Sequence, residues 1–233
     1  QWLRPLIVGL SRAGKLEEAL RLCVERFAIE PNLETISLLT DVAILSIGRS
    51  PLDPQIDRMI RDSLVKFPAS PKLLELVGTL RLFEARFPEA VELLLRAEKL
   101  APRSLMTLNN LAIAAAEIPG RELEGLARAE RAIEIYGRTP DLLDTLGIVQ
   151  LYCGFPDKAE ASLRASWEAK ADSRTLLHLI QALSVQGKEA EVRERLRSFK
   201  LEELNGIVLT PRERQAIDKL LPESKPPAGR EEL

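Results

Sequence analysis

The chain has little of what catalytic and membrane-spanning proteins are usually built around. A single histidine, His178, stands among 233 residues, so neither a two-histidine metal site nor a histidine pair can be assembled. The two cysteines, Cys23 and Cys153, are far apart and each falls in an expected helix among Leu, Val and Tyr. They read as buried free thiols rather than as a disulfide or a metal pair. Aromatic residues make up only 4%, and charges interrupt the apolar runs before the roughly 18 residues that a membrane helix needs. No spanning segment is expected, and the chain reads as soluble, cytoplasmic or periplasmic. An excess of one charge is also missing. The 33 basic and 35 acidic side chains give a net charge of −2, which supplies no long-range field to attract nucleic acid or an anionic bilayer. Glycines are isolated, without the G-x-x-x-x-G-K-[ST] or G-x-G-x-x-G spacing that cradles phosphate. No cofactor and no enzymatic activity are expected.

What the sequence does contain is a repeated pattern, clearest from Pro71 to Pro102, PKLLELVGTLRLFEARFPEAVELLLRAEKLAP. Its apolar residues recur at helical spacing, Leu73, Leu74, Leu76, Val77, Leu80 and Phe83, then Ala90, Val91, Leu93, Leu94, Ala97 and Leu100. That spacing predicts two amphipathic helices. Pro88 suits the first turn of the second, where its missing N–H would find no partner anyway. Gly78 and Ala90 stand where two antiparallel helices would press together, and Pro102 ends the unit.

The same grammar runs along the chain. Residues 1 to 31 form a degenerate first copy, with Gly14 closing one helix and Ala19, Cys23 and Pro31 at the offsets of Ala90, Leu94 and Pro102. A second copy follows, with its inter-helix turn at Gly48-Arg49-Ser50-Pro51 and Asp53-Pro54 as cap and first residue of its second helix. After Pro102, Ala112 takes the place of Gly78, and one extra residue is placed near Pro119-Gly120. PDLLDTLGIVQLYCGFPDKAEASLRASWEAKA repeats the leading unit closely, with Gly147, Ala159, Leu163 and Ser166 at matching offsets. A sixth pair replaces the small residue by Ile180. Boundaries at Pro31, Pro68, Pro102, Gly137 and Ala171 step by 37, 34, 35 and 34 residues. Beyond a turn at Asn205-Gly206, LTPRERQAIDKLL reads as a capping helix, with Thr210 as N-cap, Pro211 in the first turn and Glu213 reaching back as a capping box. The array is assigned to residues 1–221. Residues 222–233 lack apolar periodicity and read as a disordered tail.

Small residues, large apolar residues and a closing proline at a period of about 34 resemble the tetratricopeptide repeat. The resemblance implies an all-α fold, a right-handed α-α superhelix (solenoid) of about six helix-turn-helix repeats, with the first helix of each pair lining a concave face. It also implies a non-enzymatic protein–protein interaction scaffold that holds a partner segment in that groove. Residues pointing away from the packing seam would face the groove, and Glu75, Thr79, Phe83, Asn109, Ile113, Asp144, Ile148 and Tyr152 are the candidate partner-binding set. Such a lining is apolar with an acidic edge, which suits a protein or peptide segment with apolar anchors beside Lys or Arg.

Phe83 and Tyr152 occupy equivalent places in two repeats, and packing on the next repeat explains them as well as groove exposure does. The Lys and Asn clamp with which some members of the family hold a C-terminal carboxylate is rejected. The matching places hold Glu75, Thr79, Asn110, Asp141 and Thr145, of which only Asn110 fits, and the carboxylates would repel that ligand. His178 reads as a hydrogen-bonded structural histidine near the groove or the seam, and VRERLRSFK as a solvated helix face. Gln1 and Trp2, with no initiating Met before them, read as the start of a trimmed piece of a longer polypeptide. Two further readings stand beside the scaffold: a regulatory or substrate-docking arm of a larger enzyme, and a self-associating unit of a bacterial secretion or polysaccharide-export machine.

Overall fold

The computed structural model describes residues 3–47, 51–204 and 209–220. Gly48, Arg49 and Ser50 of the expected inter-helix turn, the expected turn at Asn205-Gly206, the residues Gln1 and Trp2, and the expected tail at 222–233 lie outside them. Among the described residues there are thirteen α-helices, one short 3-10 turn at Leu201–Leu204, and no strand. Twelve of the helices form six antiparallel pairs. These are α1 (Leu3–Arg12) with α2 (Leu16–Ile29), α3 (Leu33–Ser46) with α4 (Pro54–Lys66), α5 (Pro71–Phe83) with α6 (Phe87–Leu100), α7 (Leu105–Ala116) with α8 (Glu122–Tyr136), α9 (Pro140–Tyr152) with α10 (Pro156–Ala169), and α11 (Ser173–Val185) with α12 (Glu189–Ser198). Helix α13 (Pro211–Leu220) follows the last pair.

The two kinds of helix start differently. From α5 onward each first helix is capped by a side-chain oxygen, from Ser70, Ser104, Thr139 and Asp172, and two of those caps are followed by proline. The oxygen satisfies an amide that the first turn would leave unpaired. Helix α4 follows the same rule, since the Asp53 carboxylate accepts from the Gln55 amide at 2.7 Å and Pro54 opens the helix. Other second helices start from a tight turn, in which the chain doubles back through a residue with positive φ. In the fifth pair Gly154 has φ 77°, and the Phe155 amide donates to the Gln150 carbonyl at 2.9 Å. The same bond closes the first, third and sixth turns, from Lys15 to Leu10, Arg86 to Arg81 and Lys188 to Leu183. This is the Schellman arrangement, which favours glycine at its left-handed position. In the third pair that position holds Ala85, at φ 62°.

Within a pair, contact depends on the missing side chain. A Cβ on Gly78 would lie 2.7 Å from Cγ of Leu94, and one on Gly147 would lie 2.5 Å from Cγ of Leu163. In the fourth pair the roles reverse: Ala112 stands on the first helix, and Gly125 on the second, where a Cβ would meet the Ala112 carbonyl oxygen at 2.5 Å. The longer loop from Glu117 to Arg121 accompanies that shift.

Each first helix touches the first helix of the next pair, so α1, α3, α5, α7, α9 and α11 form a continuous row, while each second helix packs beneath the first helix that follows. Leu82 shares one cluster with Ala90, Val91 and Leu94 of its own pair and with Leu111, Ala114 and Ala115 of the next. No pair could bury these surfaces alone, which is why the core forms as a chain of clusters along the stack rather than one central mass. Cys23 is buried and free, and its thiol is pushed up to about 12 chiefly by burial. Cys153 is a second free thiol, half-buried in a different cluster.

Among the described residues no helix is long and apolar enough to cross a membrane.

Candidate functional site

The row of first helices is held together by polar bonds as well as by leucines. Between α5 and α7, Glu75 accepts from the hydroxyls of Ser104 and Thr107, the latter at 2.8 Å, and the Asn110 amide donates to the Thr79 hydroxyl at 2.7 Å. Between α7 and α9 the Thr145 hydroxyl donates to Asn109 Oδ1 at 2.7 Å. Between α9 and α11, Asp144 Oδ1 lies 2.9 Å from His178 Nδ1. Buried polar groups without partners are costly, so this succession of matched pairs fixes the register of each repeat on the next.

A cavity of about 660 Å³ opens on this inner wall between the ends of α5 and α11. Six of the eight sequence-derived candidates line it: Phe83, Asn109, Ile113, Asp144, Ile148 and Tyr152. Glu75 and Thr79 do not. Both are buried at 7% exposure between α5 and α7, with their oxygens engaged by α7. Asn109 and Asp144 line the cavity while also bonding the next repeat. Met106 on α7, 45% exposed, also lines the cavity.

The far end of the cavity is closed by the first turn of α13. There the capping box expected from the sequence is formed: the Glu213 amide donates to the Thr210 hydroxyl at 3.3 Å, and the Thr210 amide donates to Glu213 Oε2 at 2.5 Å. The location of the helix goes beyond that of an end cap. Ile217 covers Leu177 of α11 at the end of the stack, as a cap should, but the first turn points inward along the wall of first helices. Arg212 stacks its guanidinium 4.3 Å from the centre of the Tyr152 ring and reaches Glu117 Oε2, at the end of α7, with its Nε at 3.1 Å. Glu213 Oε1 meets His178 Nε2 at 3.0 Å and Arg174 Nε at 3.1 Å.

His178 thus bridges two carboxylates, Asp144 on one nitrogen and Glu213 on the other, and is 3% exposed. Burial opposes the charged ring, but the two carboxylates outweigh it and lift its pKa to about 9. Burial likewise works against ionised Glu213, and His178, Arg174 and the Thr210 amide overcome it to hold the carboxyl near about 2. Glu117 shifts the other way. Burial raises its pKa, which Arg212 and a hydrogen bond with the Thr210 side chain only partly offset; its Oε1 is buried without a hydrogen-bond partner among the described residues. No group of three or more His, Cys, Asp or Glu side chains positioned to hold a metal ion occurs among the described residues.

Sequence reading placed His178 near the groove but missed its two carboxylate partners, because Asp144 and Glu213 come from helices distant in the chain. Glu117 and Arg212 were missed for the same reason. The one local signal was the capping box, which located the start of α13 correctly without showing where that start docks.

No protein-family profile matches the sequence, and no curated protein is significantly similar to it. Solved structures do share the fold. A tetratricopeptide repeat protein from Parabacteroides merdae superposes with a TM-score of 0.71 at 14% identity, over 94% of this chain and 82% of that one. A thermophilic tetratricopeptide repeat protein from Thermus thermophilus gives 0.57 at 18% identity, over 88% of this chain and 98% of that one. The APC/C hetero-tetramer Cut9–Hcn1 gives 0.59 at 15% identity, over 89% of this chain and 42% of the matched chain. The all-α helical-repeat solenoid that the resemblance implies is the fold this chain shares with these structures.

Proposed function

We propose that this solenoid is a non-enzymatic scaffold that holds a segment of another protein against the inner wall of its first helices. The observation that carries the reading is the cavity lined by Phe83, Ile113, Ile148 and Tyr152 from three successive first helices, with Asp141 and Asp144 at its edge. An apolar floor with an acidic rim suits a segment that presents apolar anchors beside a Lys or Arg. The rim charge is shared, because Lys170 pairs with Asp141 at 3.1 Å and His178 with Asp144. The cation of a partner therefore completes a mixed network rather than neutralising a bare acidic patch. The Cut9–Hcn1 neighbour, a hetero-tetramer, supports the use of this fold for assembly with a second protein.

Selection of peptides from a random library on the immobilised chain, followed by fluorescence anisotropy, tests the reading. Selected peptides should carry a basic residue beside apolar ones, and Phe83→Ala with Ile148→Ser should weaken them by tenfold or more. Peptides that bind wild type and variant equally would remove the cavity from recognition.

A further inference from the structure

The groove is already furnished with a helix, and the contacts of that helix define what the groove reads. We infer that the site recognises a capped helix whose first turn carries an arginine followed by a glutamate, that α13 is the chain's own resident copy of this ligand, and that a partner presenting the same pattern enters by displacing it. This rests on the groove being a protein-binding face and adds the chemistry of what binds there.

The receiving surface comes from three repeats. Glu117 closes α7, Tyr152 closes α9, and Arg174 and His178 lie in α11. The surface offers a carboxylate beside an aromatic face, then two cations close together, and α13 supplies the complement: Arg212 for Glu117 and Tyr152, Glu213 for Arg174 and His178. A guanidinium both stacks and donates, which a lysine does not do equally well. The adjacent Glu is fixed in aim by the capping box, because the same carboxylate that meets His178 through Oε1 holds the Thr210 amide through Oε2. A helix lacking the cap would present the Arg and the Glu at different angles. One acceptor, Glu117 Oε1, finds no donor from α13. The resident helix therefore leaves part of the site unused, and a partner whose arginine approaches Glu117 in a forked, two-bond geometry has an added bond to gain.

Exchange is physically reasonable for this helix, which follows the last pair and has no second helix paired with it. Helix α13 has ten residues, of which only Glu213 and Ile217 are buried. An isolated helix that short is marginal in water, so α13 holds its place through a few side chains rather than through a packed face. Tethering compensates, since a linked segment acts at an effective concentration on the order of millimolar. A partner must therefore either bind better than α13 or meet a chain in which α13 is weakened.

The test uses the full chain and a fluorescent peptide with the sequence of residues 209–220. Wild type should bind it weakly because the tethered copy competes. The variant Arg212→Ala with Glu213→Ala should bind it at least tenfold more tightly, and so should Arg212→Glu alone, with near-native melting temperatures showing that the repeats stay folded. Binding by the opened chain should vanish when the peptide carries glutamate at the position of Arg212, or when Tyr152→Ala is added to the chain. Equal, weak binding by wild type and both opened variants would overturn the inference. A wild type that runs as a dimer in light scattering would also overturn it, since the occupant would then be the helix of a second copy. Library peptides that still bind in a Phe83-dependent manner while the 209–220 peptide does not would sink this inference and leave the groove's role intact. Failure of both peptide classes would remove the two together.

Discussion

His178 joins carboxylates from two other helices, and its charge makes those contacts dependent on pH. The groups facing it are Asp144, Glu213 and, through Glu213, Arg174. Its folded pKa of about 9 lies above the ordinary 6.5, so its stabilising contribution is complete below about pH 6.5 and is lost as pH rises through 9. Glu213, held near 2 against an ordinary 4.5, contributes fully above about pH 4.5 and loses its contribution as pH falls toward 2. His178 and Glu213 together contribute most to the docking of α13 between about pH 4.5 and 6.5. Thermal melts of wild type should show a larger drop in Tm from pH 6 to pH 9.5 than those of His178→Gln, and parallel curves would contradict the assignment of a charged ring. Removing the ring takes from the part-buried Asp144 carboxylate and the buried Glu213 carboxylate the cation they share. His178→Leu is expected to cost about 3–5 kcal/mol in denaturant unfolding.

A second buried cation was harder to read. Arg81 is 1% exposed, held by Asp57 of α4 at 2.5 Å and Glu84 at 2.6 Å. Its neighbours Leu80 and Leu82 are both fully buried, and an arginine between two buried leucines on a first helix was the available clue. The sequence alone does not show that Asp57, from the preceding repeat, comes to meet it. Arg81→Ala should cost about 3 kcal/mol or more, with Asp57 left part-buried and without this partner.

At the scale of the helix pair, the spacing of small residues was legible because it reflects a local steric rule. Gly78 with Leu94 and Gly147 with Leu163 meet as their offsets implied, and Gly147→Val should destabilise by about 1–3 kcal/mol, since the Leu163 side chain occupies the space a Cβ needs. The turns were less legible. Gly154 and Ala85 occupy the same left-handed position in two repeats, but nothing in the sequence says that an alanine there is strained. Ala85→Gly should raise stability by about 1 kcal/mol, because the backbone penalty for a side chain at positive φ exceeds the entropy that glycine loses. A lowered denaturation midpoint for Ala85→Gly would contradict the turn geometry. Helix α13 shows where local reading ends. Thr210, Pro211 and Glu213 announce a helix start wherever the chain places it, whereas Arg212 over Tyr152 depends on the path of the whole stack.

At the scale of the molecule, the repeat period determined the architecture because each pair is incomplete without its neighbours, and only a stack resolves that. The groove followed from the architecture. Phe83, Asn109, Ile113, Asp144, Ile148 and Tyr152 share one cavity because they recur at equivalent places on successive first helices. Glu75 and Thr79 hold the same places on α5 that Asp144 and Ile148 hold on α9, but α7 covers them. Helical phase gives the face of a helix and not the depth at which its neighbour overlaps it. That overlap is set by the polar pairs between repeats, which join residues from separate units.

The account depends most on the inner wall being the surface that meets a partner. Methyl-resolved NMR of the isoleucines, titrated with a library-selected peptide, reads this directly. Ile113 and Ile148 should shift in proportion to occupancy, while Ile29, 77% exposed on α2, should stay where it is. Shifts at Ile29 with Ile113 and Ile148 unmoved would place recognition on another surface and contradict the account.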